Sequence, residues 1–343
     1  MKSKIALTHT QLAGPALESI LSLLAKLPGK RKHISKLCLQ DLLSIQKLAA
    51  DSALSDAVVV FDENWNTKNY STVIGWLVDC EDLKNRPVYV ISFGYQTLRM
   101  SENVWKLAYP WTMFHCFRKY KFLKYVPKAK QLAKGFGCLN NRPAEHRLML
   151  GYQLYQQGVL DQVIFTQNIK KIESDFSATM FNDLPGIENY KALLPIPANH
   201  DLTGYVIDDS VSHTAYQETY CNIVTETYTE LMPYTQEISY EFVSEKTAKP
   251  FLSGQIPLML ACPGHMTFMK QLGFEIMDQL TPLGYDQMRT LQKISAIVDV
   301  VKNGKDAIEE FYFAHQKEIQ HNFEIAVTGM AEQSMINQIK SFV

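Results

Sequence analysis

The chain has 343 residues, 46% of them hydrophobic and 20% charged, with 34 basic and 35 acidic side chains giving a formal net charge of -1. That length is enough for two domains with cores of their own, and the composition is globular and not disordered. The near-neutral balance excludes a global field that would draw the protein onto nucleic acid and leaves room only for local basic patches.

The opening stretch, MKSKIALTHTQLAGPALESILSLLAKL, reads as a strand (KIALTH), a turn and an amphipathic helix near 13–27. His9, Thr10, Gln11 and Glu18 interrupt the apolar positions a signal peptide needs. No run of about 18 apolar residues occurs, so no membrane span is expected. AVVVF at 57–61 precedes a polar loop and a helix near 70–77, and PVYVISF at 87–93 is the clearest strand of the first half. Pro87 sets its start and β-branched residues fill it. A break follows at 118–134, where RKYKFLKYVPKAKQLAK is dense in lysine and carries Pro127.

Alternation then restarts. GFGCL at 135–139 is a strand that ends in Asn140, Asn141, Arg142 and Pro143. A helix runs from about Ala144 to Gln157, with Leu148, Tyr152 and Tyr155 on one face, and stops at Gly158. QVIFT (162–166), ETYCNIVTE (218–226), EFV (241–243) and IPLMLA (256–261) supply further strands, and a Gly-containing helix stands before the last. From Lys305 onward, Ile308, Phe311, Tyr312, His315, Ile319 and Phe323 recur at helical spacing. Short apolar runs alternating with helices point to parallel sheets covered on both faces. Six single cysteines, none in a CxxC pair, read as reduced buried thiols of a cytoplasmic protein.

Three segments of the second half carry residues suited to chemistry. In GFGCLNNRPAEHRLMLGYQLYQQG, Arg142, His146 and Arg147 stand at a helix start, where cations are mildly unfavourable and so need a reason. Either they solvate the first turn, or they serve a phosphate drawn to the helix N-terminus, with arginine adding a charge-assisted fork. In CNIVTET, Glu226 ends a strand and would present a carboxylate to a cleft, unless it is a plain surface residue. In FVSEKTAKP, Ser244 and Glu245 suit a helix cap and first turn, which leaves Lys246 unexplained. A carboxylate that grips hydroxyls beside a cation that neutralises diphosphate is what a nucleotide-sugar site needs.

Other groupings are weaker. Asp79-Cys80-Glu81-Asp82 faintly suggests a metal-binding DxD but precedes a solvated turn. Tyr285-Asp286 either closes a site or starts a helix. Trp105, Tyr109, Trp111 and Phe114 suit core packing or an aromatic patch. There is no HExxH, Walker A or GxGxxG sequence.

These three segments, in order over roughly residues 135–286, resemble the donor-binding half of the fucosyltransferase-like glycosyltransferases. Their pattern is an apolar run, E-N/T, a variable loop, Y/F-V-T/S-E-K and I-P-I/L. The resemblance implies the GT-B architecture, two Rossmann-like α/β domains facing across a cleft with a closing C-terminal helix, here 1–130, 131–304 and 305–343. It implies donor contacts from Asn140, Arg142, Arg147, Glu226, Phe242, Glu245 and Lys246. The activity implied is inverting transfer of a sugar from a nucleotide-diphosphate sugar, GDP-fucose or another GDP-sugar, to an acceptor hydroxyl. No metal or other cofactor is expected, the nucleotide sugar being a co-substrate; the acceptor is a glycan or glycoside, and modified DNA stays open. The catalytic base of the family lies just beyond a strand of the first domain. VYVISF continues instead into Gly94-Tyr95-Gln96, so Glu102 is the nearest candidate, with Asp62 and Glu63 as rivals. That departure motivates the alternative of a catalytically silent protein that binds a glycan or nucleotide sugar.

Overall fold

The computed structural model describes residues 4–7, 23, 31–37, 48–50, 52, 55–62, 70–92, 98–140, 144–167, 184–196, 211, 214–227 and 242–342, with the backbone alone at 4–7, 31–37, 61–62, 70–74, 111 and 214. The chain is α/β with two mostly parallel sheets. It divides into one unit of Met1–His115, Glu241–Val243 and Glu332–Val343, and a second of Cys116–Tyr240 and Ser244–Ala331.

In the first unit, β1 (Lys4–Leu7), β2 (Arg31–Leu37), β3 (Ala57–Asp62), β4 (Val88–Ser92), β5 (Leu98–Arg99) and β6 (Val104–Ala108) form a sheet in the order β1-β2-β3-β4-β6-β5. All neighbours are parallel except β5 against β6. β3 and β4 are runs of β-branched residues because strands inside such a sheet bury side chains on both faces. On one face Val58, Val60, Val88, Val90 and Val104 pack with Leu48, Leu83 and Leu77, the last from α1 (Tyr70–Asp79). Each such burial contributes about 1.5–3 kcal/mol. β2 is absent from the sequence reading. RKHISKL holds only Ile34 and Leu37 as large apolar residues, and its pairing with β1 on one side and β3 on the other makes it a strand. Of the helix expected near 13–27, only Leu23 lies among the described residues, helical and buried.

The second unit takes up the chain within α2 (Trp111–Lys119) and continues through β7 (Phe136–Asn140), α3 (Glu145–Gln156), β8 (Val163–Gln167), α4 (Ile187–Lys191), α5 (Thr214–Gln217), β9 (Cys221–Thr225), α6 (Glu245–Leu252), β10 (Ile256–Leu260), α7 (His265–Gln271), α8 (Thr290–Lys302), α9 (Gly304–Ala314) and α10 (Gln316–Thr328). α11 (Met330–Phe342) begins there and passes into the first unit, where the Tyr109 hydroxyl donates to the Glu332 carboxylate. The helical tail thus consists of three helices. His315 interrupts the first pair, and Gly329, at φ +76°, ends α10 in the left-handed conformation that favours glycine.

The second sheet is wholly parallel, in the order β10-β9-β7-β8. β7 is followed by β8 on one side, while β9 and β10 lie on the other, so the winding reverses between β7 and β9. Backbone pairing there is confined to Phe136↔Cys221 and Gly137↔Asn222. Gly137 allows this packing: a Cβ on it would come within 2.6 Å of the Ala215 carbonyl of α5. One expectation fails. Phe242 and Val243, read as part of a strand, belong to no strand; they are apolar because they are buried, and Ser244 after them already caps α6.

Candidate functional site

In a parallel sheet, ligands bind beyond the carboxyl ends of the strands where the winding reverses. At that point in this protein lie Asn140 at the end of β7 and Thr225 and Glu226 at the end of β9. Asn140 is almost fully buried and ties three strands together. Its N–H donates to Thr166 Oγ1 of β8 (3.0 Å), and its Oδ1 accepts from the Thr225 hydroxyl (2.6 Å).

The first turn of α3 is fastened over the same strand end. His146 Nε2 donates to the Glu226 carbonyl at 2.8 Å, and the Arg147 guanidinium donates to the Thr225 and Glu226 carbonyls at 3.2 Å each. Since a carbonyl only accepts, His146 carries its proton on Nε2. Burial, reinforced by Arg147, holds its pKa down to about 3, so the ring is neutral at neutral pH.

The Glu226 side chain does for α6 what its carbonyl does for α3. It is 0% exposed. Oε1 accepts from the Ser244 N–H (3.0 Å) and the Thr247 hydroxyl (2.6 Å), and Oε2 from the Ser244 hydroxyl (2.7 Å) and the Thr227 N–H (3.2 Å). Burial pushes this carboxyl up, but the Lys246 ammonium and the bonds from Thr247 and Ser244 outweigh it, and the net shift is downward. Thr247 spends its proton on Glu226 and accepts from His265 Nε2 at 3.1 Å. Burial lowers His265 to about 4, so it too is neutral.

Ser244 caps α6, its hydroxyl accepting from the Lys246 N–H at 3.2 Å. Lys246 follows in the first turn, its ammonium reaching Thr227 Oγ1 (3.1 Å), Ser244 Oγ (3.3 Å) and Glu245 Oε1 (3.5 Å). Its side chain keeps 27% of its surface and that of Glu245 keeps 17%. Burial lowers the Lys246 pKa; Glu245 and Glu226 act against that, while Arg147 and Lys249 add to it. Lys246 and Arg147 therefore stand at one strand edge, with Lys246 in the first turn of a helix, whose dipole favours an anion.

Of the residues read from sequence, Asn140, Arg147, Glu226, Glu245 and Lys246 come together around the ends of β7 and β9. Two of them differ from expectation in posture. Glu226 does not face outward: all four of its hydrogen bonds are internal. Arg147 is 3% exposed and engaged with main-chain carbonyls, lying beneath the surface that Lys246 reaches. Arg142 lies outside the described residues. Phe242 is buried and falls in the first unit. Glu102 is also in the first unit, exposed on the turn before β6, with Arg99 donating to its backbone carbonyl at 2.9 Å. Asp62 is described by its backbone alone, at the end of β3, and Glu63 lies outside the described residues.

Among the weaker groupings, Asp286 accepts from the Met266 and Thr267 N–H groups at 2.9 and 3.0 Å and so caps α7. Glu81 begins a short 3-10 turn and pairs with Lys84. Tyr109 and Phe114 are core residues in mutual contact at 5.2 Å. Sequence reading noted His146 at the helix start without giving it a site role, and passed over Thr247 and His265. His146 signalled itself as part of the basic helix start, Thr247 as a helical neighbour of Ser244, and His265 as a polar residue just past the end of IPLMLA. No protein-family model matches the chain, and neither a curated protein nor a solved structure matches it.

Proposed function

We propose that this protein is a glycosyltransferase that takes a sugar from a nucleotide-diphosphate sugar and binds that donor at the carboxyl edge of the second sheet. The observation that carries the reading is Lys246, a partly open cation at the start of α6, set with Arg147 where a parallel sheet reverses its winding. A diphosphate placed there meets a fixed ammonium and the positive end of the α6 dipole, with the Arg147 charge beneath. Glu245 beside it suits a pair of sugar or ribose hydroxyls. Arg147 and Glu226 act one layer down, holding α3 and α6 on the end of β9 so that Lys246 is presented in one place. The resemblance of FVSEKTAKP and IPLMLA to the fucosyltransferase-like pattern narrows the donor to a GDP-sugar. The finer architecture we propose is GT-B, supported by the passage of α11 into the first unit. On this reading Glu102 is the base toward the acceptor hydroxyl.

The second reading is a protein that binds the nucleotide sugar without transferring it. It draws support from the exposure of Glu102. Calorimetry with a panel of nucleoside diphosphates, followed by assay of released nucleotide with candidate acceptors, tests both. Binding of GDP that Lys246→Ala weakens by about 10- to 100-fold supports the site. Turnover lost in Glu102→Gln with binding intact supports transfer. Failure of every nucleoside diphosphate to bind overturns the proposal.

A further inference from the structure

Residues 118–134 hold seven basic and no acidic side chains, and the proposed transferase site uses none of them. Most of this stretch runs without regular structure from the end of α2 to the start of β7. It is nonetheless pinned to the second unit. The Tyr125 hydroxyl bonds Gln316 Oε1 at 2.9 Å and its ring packs on Phe323 at 5.6 Å. Lys128 turns inward, its ammonium donating to the Tyr216 carbonyl at 2.6 Å and its N–H to the Tyr312 hydroxyl at 2.9 Å. The Tyr220 hydroxyl accepts from the Leu132 N–H and donates to the Ala129 carbonyl, both at 3.0 Å.

Other side chains of the stretch stay outside. Phe122 is 83% exposed, Val126 72% and Leu123 39%, set among the exposed lysines Lys121, Lys124 and Lys130. Single exposed apolar residues are ordinary, but three large ones held on one anchored segment inside a purely cationic stretch are not. We propose that this segment docks the protein on an anionic lipid bilayer, the lysines meeting headgroups while Phe122, Leu123 and Val126 enter the headgroup–acyl boundary. Charge complementarity selects an anionic partner, and the two aliphatic side chains select a bilayer over a nucleic acid, whose bases stack on aromatic and guanidinium planes. Lysine, a strongly hydrated point charge, suits a headgroup layer as arginine suits phosphate forks.

The test is co-sedimentation of the full chain with phosphatidylcholine vesicles, with and without phosphatidylglycerol, at low and high salt. The protein is expected to pellet with the anionic vesicles and to be released by salt. Replacing Lys121, Lys124 and Lys130 together by Gln should lower partitioning by about 100-fold, at about fivefold per lysine. Phe122→Ser with Val126→Ser should lower it by about tenfold or more with the salt dependence kept. Because all five positions are exposed, unfolding midpoints by circular dichroism should match wild type. No partitioning at low salt overturns the proposal. So does wild-type partitioning by either variant, or tight binding of a single-stranded oligonucleotide that excludes vesicles and is indifferent to Phe122→Ser.

Discussion

Glu226→Gln tests whether the buried carboxylate is the fastening point of α6. The substitution keeps shape and removes charge. An amide oxygen can still accept from the Ser244 N–H and the Thr247 hydroxyl, but the NH₂ group then faces the Thr227 N–H and the Ser244 hydroxyl. Ser244 can rotate to accept; the Thr227 N–H cannot, and loses its partner. Hydrogen bonds to a charged group are worth about 1.5–3 kcal/mol each and an orphaned donor costs about 1–3 kcal/mol. With part of the cost absorbed by relaxation, the expected loss is about 2–4 kcal/mol. That is a large share of a stability of about 5–15 kcal/mol, and at about 1–3 kcal/mol per molar urea it moves the midpoint by about 1 M or more. Trp65, Trp76, Trp105 and Trp111 all lie within Met1–His115, so tryptophan fluorescence reports the first unit while far-UV circular dichroism reports both. The circular dichroism transition should shift down, and the fluorescence transition much less.

The pH dependence has a definite sign. The folded-state pKa of Glu226 lies below its ordinary value of 4.5. The carboxylate therefore contributes stability that is complete above 4.5 and is lost as pH falls through the lowered folded-state value. Wild type and Glu226→Gln should differ most at neutral pH and converge in acid, where both side chains are uncharged. Coincident urea midpoints at neutral pH, or a gap that persists unchanged in acid, would refute the fastening role.

Three further outcomes follow from the same geometry. Lys246→Ala should lower the unfolding midpoint less than Glu226→Gln does, because the four hydrogen bonds to the Glu226 carboxylate remain, while nucleoside diphosphate affinity falls about 10- to 100-fold in calorimetry. Arg147→Lys should do both kinds of damage, since one ammonium cannot replace a fork on the Thr225 and Glu226 carbonyls; a loss of about 1–3 kcal/mol in urea and weaker nucleotide binding are expected. Gly151→Ala should destabilise the second unit by about 1–3 kcal/mol despite alanine's better helix propensity, because its Cβ would run into the Tyr190 hydroxyl and come within 2.8 Å of Phe165 Cζ, a clash that circular dichroism melting would register.

What the sequence makes legible here follows from how much of each feature is local. β7, β8, β9 and β10 are largely buried on both faces, so each is a short stretch dominated by apolar residues that needs no knowledge of its neighbours. α3 is legible for the same reason, with Gly158 ending it. β2 is not: RKHISKL owes its conformation to β1 and β3, and nothing in its own residues marks it. The pair Phe242-Val243 misleads in the opposite direction, being apolar through burial while lying in no strand. The grouping of Arg147, Glu226 and Lys246 could be read because strand ends and helix starts in an α/β unit converge on one edge of the sheet. The direction in which Glu226 points could not. Its partners, Ser244 and Thr247, come 18 and 21 residues later in the chain, and Thr247 in turn meets His265 another 18 residues on.

That inward turn of Glu226 changes how the candidate site divides its labour. An ionised carboxylate with no exposure is expensive to bury, and it is tolerated here because four donors and a nearby ammonium meet it. Those donors come from the cap and first turn of α6 and from Thr227, while its carbonyl takes His146 and Arg147 from α3. One residue thus joins two helix starts to one strand end. Rigidity at that junction is what a phosphate contact requires, because a lysine on a flexible stem gains from being held by Thr227, Ser244 and Glu245 before any ligand arrives. The division predicts separable phenotypes along the sequence Glu226-Thr227 and Ser244-Glu245-Lys246: substitutions at Glu226 act first on stability, and those at Lys246 first on binding. A protein in which Lys246→Ala unfolds the second unit while Glu226→Gln spares it would have the two roles reversed, and the site would have to be rebuilt around the carboxylate.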